Sequence, residues 1–199
     1  MKFIAHRINT VSQLADVPSK FGVEIDIRSS SEGLYLSHDP FVKGEIFKRW
    51  LKHYRHEILI LNVKEDGLEE KILDELSAHS IENYFFLDQP VPSIVKFSSK
   101  GIAKCATRFS EYESIESILK FEGRCEWVWI DCFSDYVLDA STSIDLKQRG
   151  FKLCVVSPEL QGRFEMTSIH SAINFFKERE INFQAVCSKY PEVWRNAFE

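Results

Sequence analysis

Three short polar islands interrupt apolar sequence near the start of the chain. They are His6-Arg7 after Phe3-Ile4-Ala5, Glu24-Ile25-Asp26 between Val23 and Ile27, and Ser37-His38-Asp39-Pro40. Two imidazoles, two carboxylates and a guanidinium suffice for metal-assisted cleavage of a phosphodiester. A guanidinium fork grips phosphate oxygens, and a hard cation on oxygen ligands neutralises their charge. A histidine on each side takes a proton from the nucleophile and supplies one to the departing oxygen. The middle island carries the most weight. Residues two apart on a strand share a face, so Glu24 and Asp26 point one way and Val23, Ile25 and Ile27 the other. With both faces covered, two ionised carboxylates lie side by side away from water, which is costly unless a cation shares the site. The plainer alternative turns both acids to solvent on a half-buried strand.

The elements that must position these residues follow from the apolar pattern. Compact apolar runs predict strands at Lys2–Ala5, Val23–Ile27, Ile58–Val63, Tyr84–Leu87, Ile102–Ala106, Trp127–Ile130, Lys152–Val156 and Gln184–Cys187. Several are unbroken rather than alternating, as in strands covered on both faces. Helical stripes lie between them: Leu68, Ile72, Leu73 and Leu76; Ile115, Ile118 and Leu119; Met166, Ile169, Ile173 and Phe176. Further helices are expected near Val11–Val17, Glu45–Tyr54, Pro92–Ser98, Ser141–Arg149 and Pro191–Phe198. Gly101, Gly123 and Gly150 each stand between a helical stretch and the next strand, where a left-handed cap is expected. Eight strands alternating with eight helices specify a parallel sheet, and that number closes into a single compact (β/α)8 TIM barrel, residues 1–199 forming one domain. An open doubly wound sheet satisfies the same periodicity.

In a barrel the active site lies at the C-terminal ends of the strands, and the polar residues fall there. His6 and Arg7 close the first strand, Glu24 and Asp26 lie on the second, and Asn62 and Lys64 close the third, two apart and hence on one face. Later strands end in Asp88, Arg108, Asp131, Ser157 and Lys189. Arg108 either binds an anionic substrate or forms a structural ion pair. Asp131 either enters the pocket or caps the next helix. Trp127 and Trp129 read as core, and His53, His56, His79 and His170 as helix-face residues without a third ligand.

Composition narrows the function classes. The 199 residues carry 44% hydrophobic and 28% charged residues, with 16 Phe to fill a core. A net charge of −5 argues against a nucleic-acid surface, which declares itself by basic excess. The five cysteines lack metal-like spacing, four of them lie in or beside apolar runs, and a reducing compartment is expected. His6 and Arg7 interrupt the first apolar run, so no secretory leader is expected. No apolar stretch reaches the roughly 20 residues that span a bilayer. The expected location is cytoplasmic.

The chain resembles the glycerophosphodiester phosphodiesterase family, within the wider group that includes sphingomyelinase D and phosphatidylinositol-specific phospholipase C. The matching pieces are His6-Arg7, Glu24-Ile25-Asp26, His38-Asp39, Asn62-Val63-Lys64 and the closing Ala185-Val186-Cys187-Ser188-Lys189-Tyr190-Pro191. They run from the first strand to the last. The resemblance implies a barrel with one divalent cation, Mg²⁺ or Ca²⁺, on Glu24 and Asp26, with Asn62 offering a carbonyl oxygen beside them. It also implies His6 as base or nucleophile and His38 as acid, with Arg7 and Lys64 holding the phosphate. The expected partner is a small phosphodiester. Departures are Asn62 where the family carries an acid, Ile8 where many members carry Gly, and Lys189 where an acid is common. Fewer than two dozen residues separate His38 from the third strand, so the subdomain inserted there in many members has no room. A non-catalytic phosphate or phosphosugar-binding barrel with a decayed metal site, and a lyase or transferase using the same residues, are the alternatives.

Overall fold

The computed structural model describes all 199 residues. Strands β1 (Lys2–Ala5), β2 (Gly22–Ser30), β5 (Leu59–Val63), β6 (Tyr84–Leu87), β7 (Ala106–Phe109), β8 (Trp127–Ile130), β9 (Lys152–Val156) and β10 (Ala185–Ser188) are mutually parallel. Between them run the helices α1 (Val11–Asp16), α2 (Phe47–Leu51), α3 (Glu69–Ala78), α4 (Val91–Ser98), α5 (Ile115–Leu119), α6 (Ala140–Gln148) and α7 (Met166–Glu178), and α8 (Pro191–Phe198) follows β10. The ladder runs β6-β5-β2-β1-β10-β9-β8-β7. It curls until its two ends meet at one isolated parallel bridge, Phe86 to Cys105, where the Phe86 N–H donates to the Lys104 carbonyl at 2.9 Å. The architecture is α/β with a curled parallel sheet.

Strand faces sort the side chains. Ile4, Ile60, Phe85, Leu87, Ala106, Trp127, Trp129, Cys154, Val156, Ala185 and Cys187 belong to an inner cluster of 12 buried residues. Val23, Ile25, Ile27, Leu59, Leu61, Val128, Ile130, Leu153, Val155 and Val186 turn outward into a 41-residue cluster shared with the helices. The unbroken apolar runs are therefore strands buried on both faces, as their composition predicts. Continuing the inward face by two residues reaches His6 from Ile4, Arg108 from Ala106, Asp131 from Trp129 and Lys189 from Cys187. The core thus gives way to polar groups at one end of the sheet. Gly101, Gly123 and Gly150 all have positive φ at helix ends, as expected.

Three local differences from the sequence reading have physical causes. The fifth predicted strand, Ile102–Ala106, forms later, at Ala106–Phe109, because the Cys105 N–H turns back to Ala103 O at 2.8 Å and delays pairing. The helix predicted over Glu45–Tyr54 is only Phe47–Leu51. Its first residues pair instead as β4 (Glu45–Ile46) against β3 (Gly33–Leu36), which folds back on the extended β2. Glu45 is drawn out of the helix because its Oε2 accepts the Val11 N–H at the start of α1, 3.0 Å away. Gly44 permits this return: a Cβ there would lie 1.7 Å from the Leu36 carbonyl oxygen. No helix is long and apolar enough to cross a membrane.

Candidate active site

The cleft at the C-terminal ends of the strands has a volume of about 280 Å³. His6, Arg7, Glu24, Asp26, His38, Asn62, Lys64, Arg108 and Asp131 all line it. These nine come from six different strands or the loops behind them, whereas Asp88, Ser157 and Lys189, also noted at strand ends, are not among the lining residues.

Glu24 and Asp26 face inward and are buried, which excludes the solvent-facing alternative. Each of their four oxygens has a protein neighbour. The Arg7 N–H donates to Glu24 Oε2 at 2.7 Å and Asn62 Nδ2 to Glu24 Oε1 at 2.9 Å. Asn9 Nδ2 donates to Asp26 Oδ2 at 2.8 Å, and Lys64 Nζ stands 3.2 Å from Asp26 Oδ1. Asn9 also accepts the Asp26 N–H, so it clamps that residue from both sides. Burial first, then the neighbouring Asp26 charge, push the Glu24 carboxyl up to about 7, against hydrogen bonds from Asn62 and the Arg7 backbone. Arg7 itself has φ of 58°, a left-handed conformation uncommon outside glycine. The bend aims the Arg7 N–H at the Glu24 side chain and the next N–H, of Ile8, at the Glu24 carbonyl at 2.8 Å. Local strain here holds the acid in place.

His6 Nε2 lies 3.7 Å from Glu24 Oε2, and its Nδ1 is buried without a partner. Burial above all, then the Arg7 charge, lower its pKa to about 4, although Asp26 opposes them. The charge of Lys189 acts in the same direction, so the lysine in the closing motif favours a neutral imidazole. His38 is half-exposed, and its Nδ1 sits 2.7 Å from Asp39 Oδ1. That contact fixes Nδ1 as the donor and leaves Nε2 for a ligand. Arg28 steadies the loop by donating to the His38 carbonyl at 2.9 Å.

The far wall is an ion-pair chain. Lys64 reaches Asp88 at 3.4 Å, Arg108 Nε donates to Asp88 Oδ1 at 3.1 Å, and Arg108 also pairs with Asp131. Arg108 thus forms the ion pair of the second alternative, at a position that also lines the cleft. Asp131 enters the cleft, while Asp139 caps α6 instead. Burial raises the Asp131 carboxyl to about 6 against the pull of Arg108. Trp129 is core as expected, yet its Nε1 donates to Asp131 Oδ1 at 3.2 Å and it forms part of the cleft wall.

The donor set suits a hard cation. Glu24, Asp26 and Asn62 offer only oxygen, and Asp26 and Asn62 are register partners across β2 and β5. Asn62 Oδ1 is buried with no partner, and burial, then the Asp26 charge, raises the Glu24 carboxyl. The chain gathers no group of three His, Cys, Asp or Glu that could hold a metal.

No family model and no curated protein matches the sequence. Solved structures do. A glycerophosphodiester phosphodiesterase from Agrobacterium tumefaciens str. C58 superposes with a TM-score of 0.65 at 11% identity, over 98% of this chain and 100% of that one. A glycerophosphoryl diester phosphodiesterase from Parabacteroides distasonis gives 0.68 at 12% identity, over 99% and 86%. A phosphodiesterase from Oleispira antarctica, solved with its product sn-glycerol-3-phosphate, gives 0.65 at 19% identity, over 100% and 96%. The fold is that of the glycerophosphodiester phosphodiesterases. The resemblance read from the short motifs therefore extends over the whole chain in three dimensions.

Within this glycerophosphodiesterase-like fold, sequence reasoning missed several groups. Asn9 lies in a loop with no periodicity to reveal it. Gln161 donates to Asp131 from the 3-10 turn Pro158–Gln161. Buried Glu159 accepts the Ser188 hydroxyl at 2.7 Å and the Lys189 N–H at 2.9 Å, anchoring the closing motif. Its position two residues after Ser157, at a strand end, was the one available signal. His53 and His56 lie beyond the end of α2 rather than on a helix face, and His56 and His79 contact the Val17 and Glu75 carbonyls at 2.8 Å each.

Proposed function

We propose that the chain is a single-unit, metal-dependent phosphodiesterase that hydrolyses a small phosphodiester of the glycerophosphodiester type. Its curled sheet reads as a (β/α)8 barrel with its seam at the Phe86–Cys105 bridge. The observation that carries the proposal is the meeting of both imidazoles, the acid pair, Arg7 and Lys64 in one small cleft. Structures of the same fold include a phosphodiesterase with glycerol phosphate bound, which supports that substrate class.

Arg7 and Lys64 hold the phosphate, the first through its planar fork and the second as a point charge. His6, neutral because burial lowers its pKa to about 4, accepts the proton of the attacking hydroxyl or water. His38, oriented by Asp39, supplies a proton to the departing alkoxide. Glu24, Asp26 and Asn62 Oδ1 would hold the cation, after the Asn62 amide turns over from its present bond to Glu24. When bound, Mg²⁺ or Ca²⁺ neutralises phosphoryl oxygens and orients the nucleophile.

The rival is a non-catalytic phosphate-binding barrel. It is favoured by the protein neighbour at each oxygen of the acid pair, with Lys64 Nζ 3.2 Å from Asp26. A phosphodiester panel assayed with Mg²⁺, Ca²⁺, Mn²⁺ and chelator, with His6→Ala as control, separates them. Metal-dependent turnover lost in the variant supports hydrolysis, and binding without turnover supports the rival. Running the reaction in labelled water distinguishes a hydrolase from a lyase or transferase.

A further inference from the structure

All five cysteines are buried free thiols, and two of them touch. Cys105 Sγ lies 3.3 Å from Cys125 Sγ, and the Ala103 and Arg124 carbonyls stand 3.7 Å from the same Cys105 sulfur. Cys132, Cys154 and Cys187 are buried elsewhere, beyond β8 or within β9 and β10. Backbone pairing holds the two touching residues together across the chain. The Glu126 N–H donates to Ala103 O at 2.8 Å and the Trp127 N–H to Cys105 O at 3.1 Å. The thiols therefore sit side by side where the neighbouring strands β7 and β8 begin, at the end of the sheet opposite the cleft. A disulfide places its sulfurs about 2.05 Å apart, so an approach of roughly 1.3 Å suffices, on the scale of a side-chain adjustment.

The surroundings give such a bond both access and a mechanical role. Glu122, Gly123 and Arg124, the three residues before Cys125, are exposed, and the helix before them is only Ile115–Leu119. A small oxidant thus reaches the pair through local opening of one short segment. β7 is the last strand of the ladder, and a single bridge, made by Cys105 itself, joins its other edge to β6. Pairing with β8 therefore carries β7, the strand that delivers Arg108 to the cleft.

We infer that Cys105 and Cys125 are a redox modification site, closing under peroxide to a reversible disulfide that staples β7 to β8 where the sheet is held most weakly. The inference stands apart from the phosphodiesterase reading, since neither thiol lines the cleft. Cys125, nearer the exposed turn, reacts first. Its thiolate attacks one oxygen of hydrogen peroxide, the O–O bond breaks, and the expelled hydroxide leaves as water with the thiol proton. The Cys105 sulfur then attacks the sulfenic sulfur and displaces its hydroxyl, which takes the Cys105 proton as a second water. Two thiols lose two electrons, and one peroxide becomes two waters. The contact with Cys105, then burial, hold the Cys125 thiol well above its ordinary range, so the first step is slow and the pair rests reduced.

The test treats the folded chain with excess hydrogen peroxide, quenches with catalase, and counts thiols in denaturant. Free thiols should fall from five to three, and dithiothreitol should restore all five. A fragment-resolved peptide map should show Cys105 joined to Cys125 with the loss of two hydrogens. The melting temperature should rise by about 5–10 °C, as for closing a loop of some twenty residues, and return on reduction. Cys125→Ser should keep all its remaining thiols and show no rise, whereas Cys132→Ala should still lose two. The wild-type map decides the matter even where a variant folds poorly. Retention of all five thiols would overturn the inference, as would a link to Cys132, Cys154, Cys187 or a second chain. So would sulfinic acid without a crosslink, a crosslink that lowers the melting temperature, or one that forms only after urea has unfolded the chain.

Discussion

Glu24 and His6 face each other across 3.7 Å with opposite shifts, and their effects on stability oppose as well. Glu24 titrates at about 7 in the fold against an ordinary 4.5. The folded state therefore holds a proton that the unfolded chain has released, and stability falls as pH rises from 4.5 to 7. At ~1.4 kcal/mol per pH unit the loss totals about 3 kcal/mol. His6 titrates at about 4 against an ordinary 6.5. There the unfolded chain binds the proton first, so stability rises with pH from 4 to 6.5, again by about 3 kcal/mol. In the wild type the two slopes nearly cancel. Glu24→Gln removes the falling one, and Asn62 can turn its orphaned Oδ1 toward the introduced amide. Urea unfolding of both proteins under chelator, at pH values spaced from about 4 to about 8, is the assay. The variant's stability relative to wild type should climb by about 3 kcal/mol across that range, complete near pH 8. Parallel curves would refute the burial argument for Glu24.

Four further outcomes are expected. His6→Ala should lower kcat/KM by about 10²–10⁴-fold, as for loss of a general base, measured by release of glycerol phosphate from a glycerophosphodiester. Asn62→Asp should tighten Mg²⁺ or Ca²⁺ binding in calorimetry by roughly tenfold or more, since a third carboxylate adds charge and removes the amide donor from Glu24. An unchanged affinity would remove Asn62 from the metal shell. Arg108→Met should cost about 3–5 kcal/mol in denaturant unfolding, because it leaves buried Asp131 without its cation. Gly44→Ala should displace the loop carrying His38, for want of space beside Leu36 O, and reduce kcat/KM much more than it lowers the melting temperature.

The sequence announced the parallel strands because burial on both faces leaves a composition that alternation does not. Lys2–Ala5, Tyr84–Leu87, Trp127–Ile130 and Lys152–Val156 coincide with the observed strands. Strand periodicity also placed His6, Glu24, Asp26, Asn62 and Lys64 on the inward face, since two-residue spacing within a strand survives any tertiary arrangement. What escaped was set by contacts between distant segments. Glu45 reads as helical until Val11 requires an acceptor, and Asn9 reads as loop until Asp26 requires a clamp.

The central claim is that one phosphate sits among His6, His38, Arg7 and the acid pair. A crystal structure with sn-glycerol-3-phosphate and Mn²⁺, the metal located by anomalous scattering, tests it most directly. The account predicts phosphorus between the two imidazoles, Arg7 on its oxygens and manganese on Glu24 and Asp26. Phosphate bound away from the cleft, or manganese absent from the acid pair at saturating concentration, would contradict it.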